Sequence, residues 1–223
     1  MGAAAAEDVI EVWGRPDSSA VARVMWTTGE LQLPVRRRDW GGAFGGNDDP
    51  AYRAMQPAGR IPAVRLPNGE ALWESNAVIR YLTAIHDHGG LMPADPVERA
   101  RAEAWMDWSA AFAGAVNQLR SAYRREDASA AGIAEARRRS APTLAVLEQA
   151  LRDRSWLMGD ALTVADLALG VWGHRLHRCP DEVRPDDLPA VDAWLARLRA
   201  RPAYDAHVVR QVSVRTQRVG MGT

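Results

Sequence analysis

The stretch "GRIPAVRLPNGEALWESNAVIRYL", residues 59–82, decides how this chain is read. "IPAVRL" and "EALW" flank Pro67-Asn68-Gly69. Asn-Gly between two apolar runs is a strong turn signal, so the segment predicts a β-hairpin. From Ser75 onward, Ala77, Val78, Tyr81, Leu82 and Ile85 recur at helical spacing and predict an amphipathic helix. Pro62, at the entry to the first strand, gives no N–H to a sheet and is the residue type that admits a cis peptide bond. A strand entered that way leaves the backbone of Ile61 open to an extended, peptide-like ligand. The simpler reading is a strand-start proline at a sheet edge. Glu74 and Ser75 fall where a helix begins, and there the free N–H groups and the helix dipole attract an anion. A carboxylate held at that point, with an ammonium against Glu74, makes an α-amino-acid head group a fitting ligand. The alternative is that Ser75 only caps the helix.

Upstream, "VIEVW" (9–13) predicts a buried strand, followed by the turn "GRPDSS". Ser18 or Ser19 can cap the next helix, whose apolar positions include Val21, Val24, Met25 and Leu31. "LPVRRR" (33–38) predicts a second strand, and the glycine-rich "WGGAFGGNDDP" (40–50) leads to a helical turn near Tyr52 and Met55. The order strand, helix, strand, short helix, strand, strand, helix predicts an α/β unit with a mixed sheet over residues 8–87.

Beyond "HDHGGLMPADP" (86–96) the texture is helical only, and a second, all-α domain is expected over residues 95–212. "VERARAEAWMDWSAAFAGAVNQL" (97–119) is a long helix, and another runs from Ile133 to Arg152 with Pro142 as a kink point. "TVADLALGVWGHRL" (163–176) is apolar nearly all round, so it predicts a buried central helix. Thr163 and Asp166 there form a variant capping box. "LPAVDAWLARLRA" and "PAYDAHVVRQ" add two more helices, and the polar tail from Ser213 is expected to fray.

Composition narrows the chemistry. Of 223 residues, 47% are hydrophobic and 25% charged, ordinary values for a globular protein with a real core. Basic and acidic residues balance at 28 each, which argues against a nucleic-acid or anionic-membrane surface. Every basic residue is arginine, so no lysine can form a Schiff base. The lone cysteine, Cys179, excludes an intramolecular disulfide and a CxxC pair. The first loop carries serines where a thiol-disulfide oxidoreductase needs a cysteine, and no G-x-S-x-G marks a serine hydrolase. His174 and His177 lie three apart on one helix without a third ligand, so no metal is expected. His86 and His88 read as surface residues, and the arginine runs at 36–38 and 137–139 as solvated faces. The start, "MGAAAAEDV", lacks the basic residue and apolar run of a secretory signal, and Ala6 stands where myristoylation wants Ser or Thr. No apolar run is long enough to span a bilayer, and a cytoplasmic protein is expected.

Joined together, "RIPAV…LWESNAVIRYL" resembles the glutathione-binding half of the cytosolic glutathione transferases. "SWLMGDALTVADLAL" (155–169) is similar to that family's entry into its central helix, and the likeness covers nearly all of residues 9–210. The resemblance implies a thioredoxin-like α/β N-terminal domain with a mixed four-stranded sheet, plus an all-α C-terminal domain. It implies glutathione as co-substrate and no metal. Ile61 then pairs its backbone with the cysteinyl unit, Pro62 is the cis-proline, and Glu74 and Ser75 hold the γ-glutamyl amino and carboxylate groups. Arg60 stands near the glycyl carboxylate, with Trp40 a further candidate donor to it. Ser18 lies where similar bacterial "GRxxS" sequences carry the serine that stabilises the thiolate; Ser19 is its rival, and Arg15 adds positive potential. Two positions depart from the pattern: Gln56 replaces an Asn before the Ile-Pro, and Ala20 stands where many relatives have Asn.

Trp105, Trp108 and Phe112 form a stripe at i, i+3 and i+7 that reads as core or subunit contact. In the family the same helix borders the electrophile, which makes Trp108 and Phe112 a candidate second-substrate wall. The activity implied is that of a homodimeric detoxification enzyme conjugating glutathione to an apolar electrophile. Glutathione-dependent isomerisation or dehalogenation, and a non-catalytic ligand- or partner-binding protein of the same fold, are the alternatives.

Overall fold

The computed structural model describes residues 9–87 and 90–211. Among these, four short strands form one mixed sheet: β1 (Ile10–Trp13), β2 (Val35–Arg38), β3 (Ala63–Arg65) and β4 (Ala71–Trp73), in the order β2-β1-β3-β4. Helix α1 (Ser19–Glu30) carries the chain from β1 across to its parallel neighbour β2, the connection that parallel strands require. The hairpin read from the sequence is present: β3 and β4 are antiparallel, with Ala63 opposite Trp73, and Asn68 Oδ1 accepts the Glu70 N–H at 3.0 Å in the turn.

Period-two alternation along the strands builds a core on each face. Ile10, Val12, Val64 and Leu66 pack with Val21 and Val24 of α1 and with Val78 and Leu82 of α3 (Ser75–His86). On the opposite face, Tyr52 and Met55 of α2 (Pro50–Met55) pack with Ala63, Trp13 and Trp40.

The chain divides into two compact units, residues 90–200 forming the second. Residues 201–211 belong with the first unit, so the expected extent of the helical domain, 95–212, is corrected at its C-terminal end. The cause is specific pairing with α1. The Arg201 guanidinium donates twice to the Glu30 carboxylate, at 2.8 and 2.6 Å, and Trp26 Nε1 donates to the same carboxylate at 2.7 Å. Tyr204, in the short helix α8 (Pro202–Tyr204), meets the Trp26 ring edge-on at 4.7 Å; a π-helical turn, Asp205–Val209, comes next. The tail from Ser213, and His88, lie outside the described residues.

The helical unit contains α4 (Pro96–Arg124), α5 (Ala130–Leu151), α6 (Val164–His177) and α7 (Pro189–Arg199). Helix α5 starts three residues before Ile133, because Ser129 caps it by accepting the Gly132 N–H at 3.2 Å; Pro142 lies inside it. Helix α6 is buried along nearly its whole length, as its all-round apolar pattern predicts. Among the described residues no helix is long and apolar enough to cross a membrane, and no group of three His, Cys, Asp or Glu is placed to hold a metal.

Candidate active site

Three stretches of the first unit carry Ser18, Arg60, Ile61, Pro62, Glu74 and Ser75. The first is the loop from Gly14 to the start of α1. Ser18 is the N-cap, with extended backbone (φ −76°, ψ 128°), and its Oγ accepts the Val21 N–H at a long 3.5 Å. That weak bond leaves the hydroxyl proton for another acceptor. Ser19 is the first residue inside the helix; both serines are 8% exposed. Arg15 pairs with Asp17 at 2.9 Å and lies against Gly42 of the glycine-rich loop.

The second is the edge at Ile61–Pro62, a cis peptide bond. Tyr52 braces the backbone around it. Its hydroxyl donates to the Arg60 carbonyl at 2.5 Å and accepts from the Ala63 amide. Burial pushes the Tyr52 pKa up to about 12, against the Ala63 hydrogen bond, so it stays a donor at any working pH. Pro62 is buried, Arg60 is exposed, and the Ile61 N–H and C=O have no hydrogen-bond partner among the described residues. The Ile61 side chain packs on Gly14, which ties this edge to the first loop.

The third is the start of α3. Glu74 has φ 63°, a left-handed conformation costly for a residue with a Cβ, and it gives the helix no side-chain cap. Ser75 comes after it with 4% exposure. Asn76 Oδ1 accepts from Arg23 of α1 at 2.9 Å. Burial lowers the Arg23 pKa to about 10, with the Glu74 charge opposing, so the guanidinium remains cationic at neutral pH. An open helix N-terminus with Arg23 nearby suits a carboxylate, while the exposed Glu74 carboxylate suits an ammonium.

Several expectations change. Trp40 packs under Gly46, where a Cβ would come within 2.3 Å of its ring, and its Nε1 is buried. It joins Trp13 edge-on at 4.8 Å and Tyr52 at 5.2 Å, so it is a packing residue and offers no N–H to a ligand at the surface. Phe112 is 0% exposed and is likewise corrected from wall to core; it stacks behind Trp108 at 6.0 Å, and Trp108 keeps partial exposure. The arginine run at 36–38 is not simply solvated. Arg38 bonds to Glu11 and lies 5.3 Å over the Trp13 ring, and Arg37 donates to the Gly14 carbonyl at 2.7 Å. In the second run, Arg137 donates to the Glu182 carbonyl at 3.1 Å and to Asp186 at 2.9 Å. Of the histidine pair, His174 is buried and His177 meets the Arg199 guanidinium at 2.5 Å. Arg23, Tyr52 and Arg37 carried no role in the sequence reading. Strand alternation, which sets Arg37 on the same face as Val35, was the available signal for the last of them.

The chain and its fold have known relatives. Residues 17–85 match the family model described as glutathione S-transferase, N-terminal domain, and residues 130–197 match the one described as glutathione S-transferase, C-terminal domain. The glutathione S-transferase GstB of Escherichia coli is 34% identical over 217 residues, covering 92% of this chain and 100% of its own. A maleylacetoacetate isomerase of Pseudomonas aeruginosa is 33% identical over 132 residues, 56% of this chain and 60% of the isomerase. The crystal structure of the theta class glutathione S-transferase of Xanthomonas axonopodis pv. citri, with glutathione bound, shares 40% identity and superimposes with a TM-score of 0.80, covering 89% of this chain and 96% of that one. With both domains matched in order and a bacterial relative aligned over its full length, the chain belongs to the glutathione S-transferase family.

Proposed function

We propose that this enzyme binds glutathione along the Ile61–Pro62 edge, stabilises its thiolate with the Ser18 hydroxyl, and transfers the sulfur to an apolar electrophile. The observation that carries this reading is the start of α3. Glu74 is held left-handed at an uncapped N-terminus, beside Ser75 and the Arg23–Asn76 pair, an arrangement that complements a zwitterionic γ-glutamyl group. Ile61 offers an open N–H and C=O to the cysteinyl unit, and Arg60 is exposed for the glycyl carboxylate.

A free thiol titrates near ~8.5, so only a few per cent is thiolate at neutral pH. The Ser18 hydroxyl and the α1 N-terminus both favour the anion, and lowering the thiol pKa by about two units corresponds to roughly 2.7 kcal/mol. The thiol proton leaves to solvent. The sulfur lone pair then forms the C–S bond while the leaving group departs with its electron pair. Ser18 acts as a hydrogen-bond donor throughout, neither nucleophile nor base. Trp108, backed by Phe112, is the apolar surface we assign to the electrophile. The reading carries with it a cytoplasmic homodimer serving detoxification.

The partial likeness to a maleylacetoacetate isomerase favours one second reading, in which the same thiolate adds to a substrate double bond and leaves again after rotation. Retention on immobilised glutathione, with turnover of an aryl halide, is the expected result for conjugation. Retention without turnover redirects the search to isomerisation or to a binding role, and no retention removes the glutathione reading. Ser18→Ala is expected to lower kcat by roughly a hundredfold while glutathione binding stays within a few-fold. The same loss from Ser19→Ala moves the role to that residue.

A further inference from the structure

The loop that presents Ser18 is gripped at its first peptide. The Gly14 N–H donates to the Arg38 carbonyl at 2.9 Å, extending the β1–β2 ladder one residue past the Trp13–Arg38 pair. The Gly14 carbonyl accepts from Arg37 Nη1 at 2.7 Å, and the same nitrogen donates to Asp39 Oδ1 at 2.6 Å. Alternation along β2 explains how an arginine gets there. Val35 packs against the core beneath α1 and α3, and Arg37, two residues on, shares its face, whereas Arg38 points to Glu11 and Trp13 on the other. The Arg37 side chain is only 25% exposed, and a guanidinium drawn in that far needs acceptors. It has two.

Gly14 has no slack to absorb a change. A Cβ there would lie 2.3 Å from Val21 Cγ2, and 3.4 Å from the Ile61 Cβ. Val21 is the residue whose N–H reaches Ser18 Oγ, and the Ser18 N–H in turn bonds to the Arg15 carbonyl at 3.3 Å. A shift of the Gly14 peptide therefore reaches the Ser18 hydroxyl both along the loop and through Val21.

We propose that Arg37 is a positioning residue for Ser18: braced by Asp39, it fixes the Gly14 carbonyl and so sets where the loop holds the hydroxyl against the glutathione sulfur. The inference rests on the function proposed above. It predicts a catalytic signature that mere structural support lacks, because loss of Arg37 changes thiolate stabilisation while leaving the α3 docking residues untouched.

The test uses the full chain with glutathione and chlorodinitrobenzene. Arg37→Ala is expected to lower kcat by roughly ten- to a hundredfold, with the KM for glutathione within about threefold and the acid limb of the kcat/KM profile moved up by about one pH unit. Arg37→Lys should recover most of the loss, since one nitrogen serves both acceptors and an ammonium can do the same. Arg36→Ala, at an exposed position of the same strand, should match wild type. In a Ser18→Ala background, adding Arg37→Ala should cost little more, because one acts through the other. A folded Arg37→Ala enzyme with wild-type kcat and pH profile overturns the inference, as does a double variant whose losses multiply. Should Arg37→Ala fail to fold, Arg37→Lys and Asp39→Asn carry the test, and an unchanged pH profile in both overturns it. Wild-type protein that neither binds nor ionises glutathione overturns the functional reading and this inference together. Active wild type with indifferent Arg37 variants overturns the inference alone.

Discussion

Helices α3 and α6 both begin with an acidic residue and a hydroxyl, and they use them in opposite ways. At α6, the buried Asp166 carboxylate accepts from the Thr163 N–H at 3.0 Å, the Thr163 hydroxyl at 3.3 Å, the Leu157 N–H at 3.1 Å and Trp194 Nε1 at 2.8 Å. Burial raises the Asp166 pKa and these hydrogen bonds oppose the rise. At α3, Glu74 is exposed, gives the helix no side-chain cap and has a left-handed backbone. Polar groups satisfied inside the unit hold it together; polar groups left open at a helix start are available to a ligand. The sharpest way to break this contrast is to remove each carboxylate and measure stability. Asp166→Ala strands several buried donors at once, Trp194 Nε1 among them, and is expected to cost about 3–5 kcal/mol in urea unfolding. A loss below about 1 kcal/mol would mean that the Asp166 hydrogen bonds do not hold the α6 start in place.

The next effect, on the same helix, is a pH dependence. His174 is buried on α6, and burial first, then the charges of Arg178, Arg199, His177 and Arg175, lower its pKa to about 4. Its ordinary value is 6.5, so below that pH the unfolded chain binds a proton that the folded chain resists. Stability is therefore full above about pH 6.5 and falls as pH drops toward 4, by on the order of 3 kcal/mol. His177 and His207 are also lowered by burial and add to the same acid limb. His174→Phe should flatten that limb in a series of urea midpoints. An unchanged limb would assign it to other groups.

What the sequence disclosed tracks the range of each interaction. The α6 box was legible because Thr163 and Asp166 are three residues apart, and the hairpin because Asn68-Gly69 dictates a local turn. The Trp194 bond to Asp166 spans 28 residues and the Arg23–Asn76 bond spans 53, and nothing in local spacing announces either. The segment after Pro202 read correctly as helical, yet periodicity names a buried face without naming its neighbour, and only Arg201 on Glu30 and Tyr204 on Trp26 assign it to the first unit. Phe112 shows the same limit: the stripe itself reads as core or subunit contact, which its burial fits, and only the family likeness made it a candidate wall. The Arg36–Arg38 run read as one solvated face because a count of charges ignores alternation, which separates Arg37 from its neighbours.

The smallest expected effect is the most discriminating, because it has opposite signs in two measurements. The left-handed φ of Glu74 costs a side-chain-bearing residue about 1 kcal/mol or more, and glycine is free of that cost. Glu74→Gly should therefore raise stability by about 1 kcal/mol while weakening glutathione binding by about tenfold or more, since the charge-assisted contact proposed for the ligand ammonium is lost. Glu74→Gln separates the two causes. It keeps the Cβ and the strained backbone but removes the charge, so affinity should fall with stability unchanged. If Glu74→Gly instead destabilises the fold, the conformation is one the unit itself requires, and the contrast between α3 and α6 loses its basis. If both variants bind glutathione as wild type does, the carboxylate is not facing the ligand amine, and the orientation of the γ-glutamyl end has to be reversed.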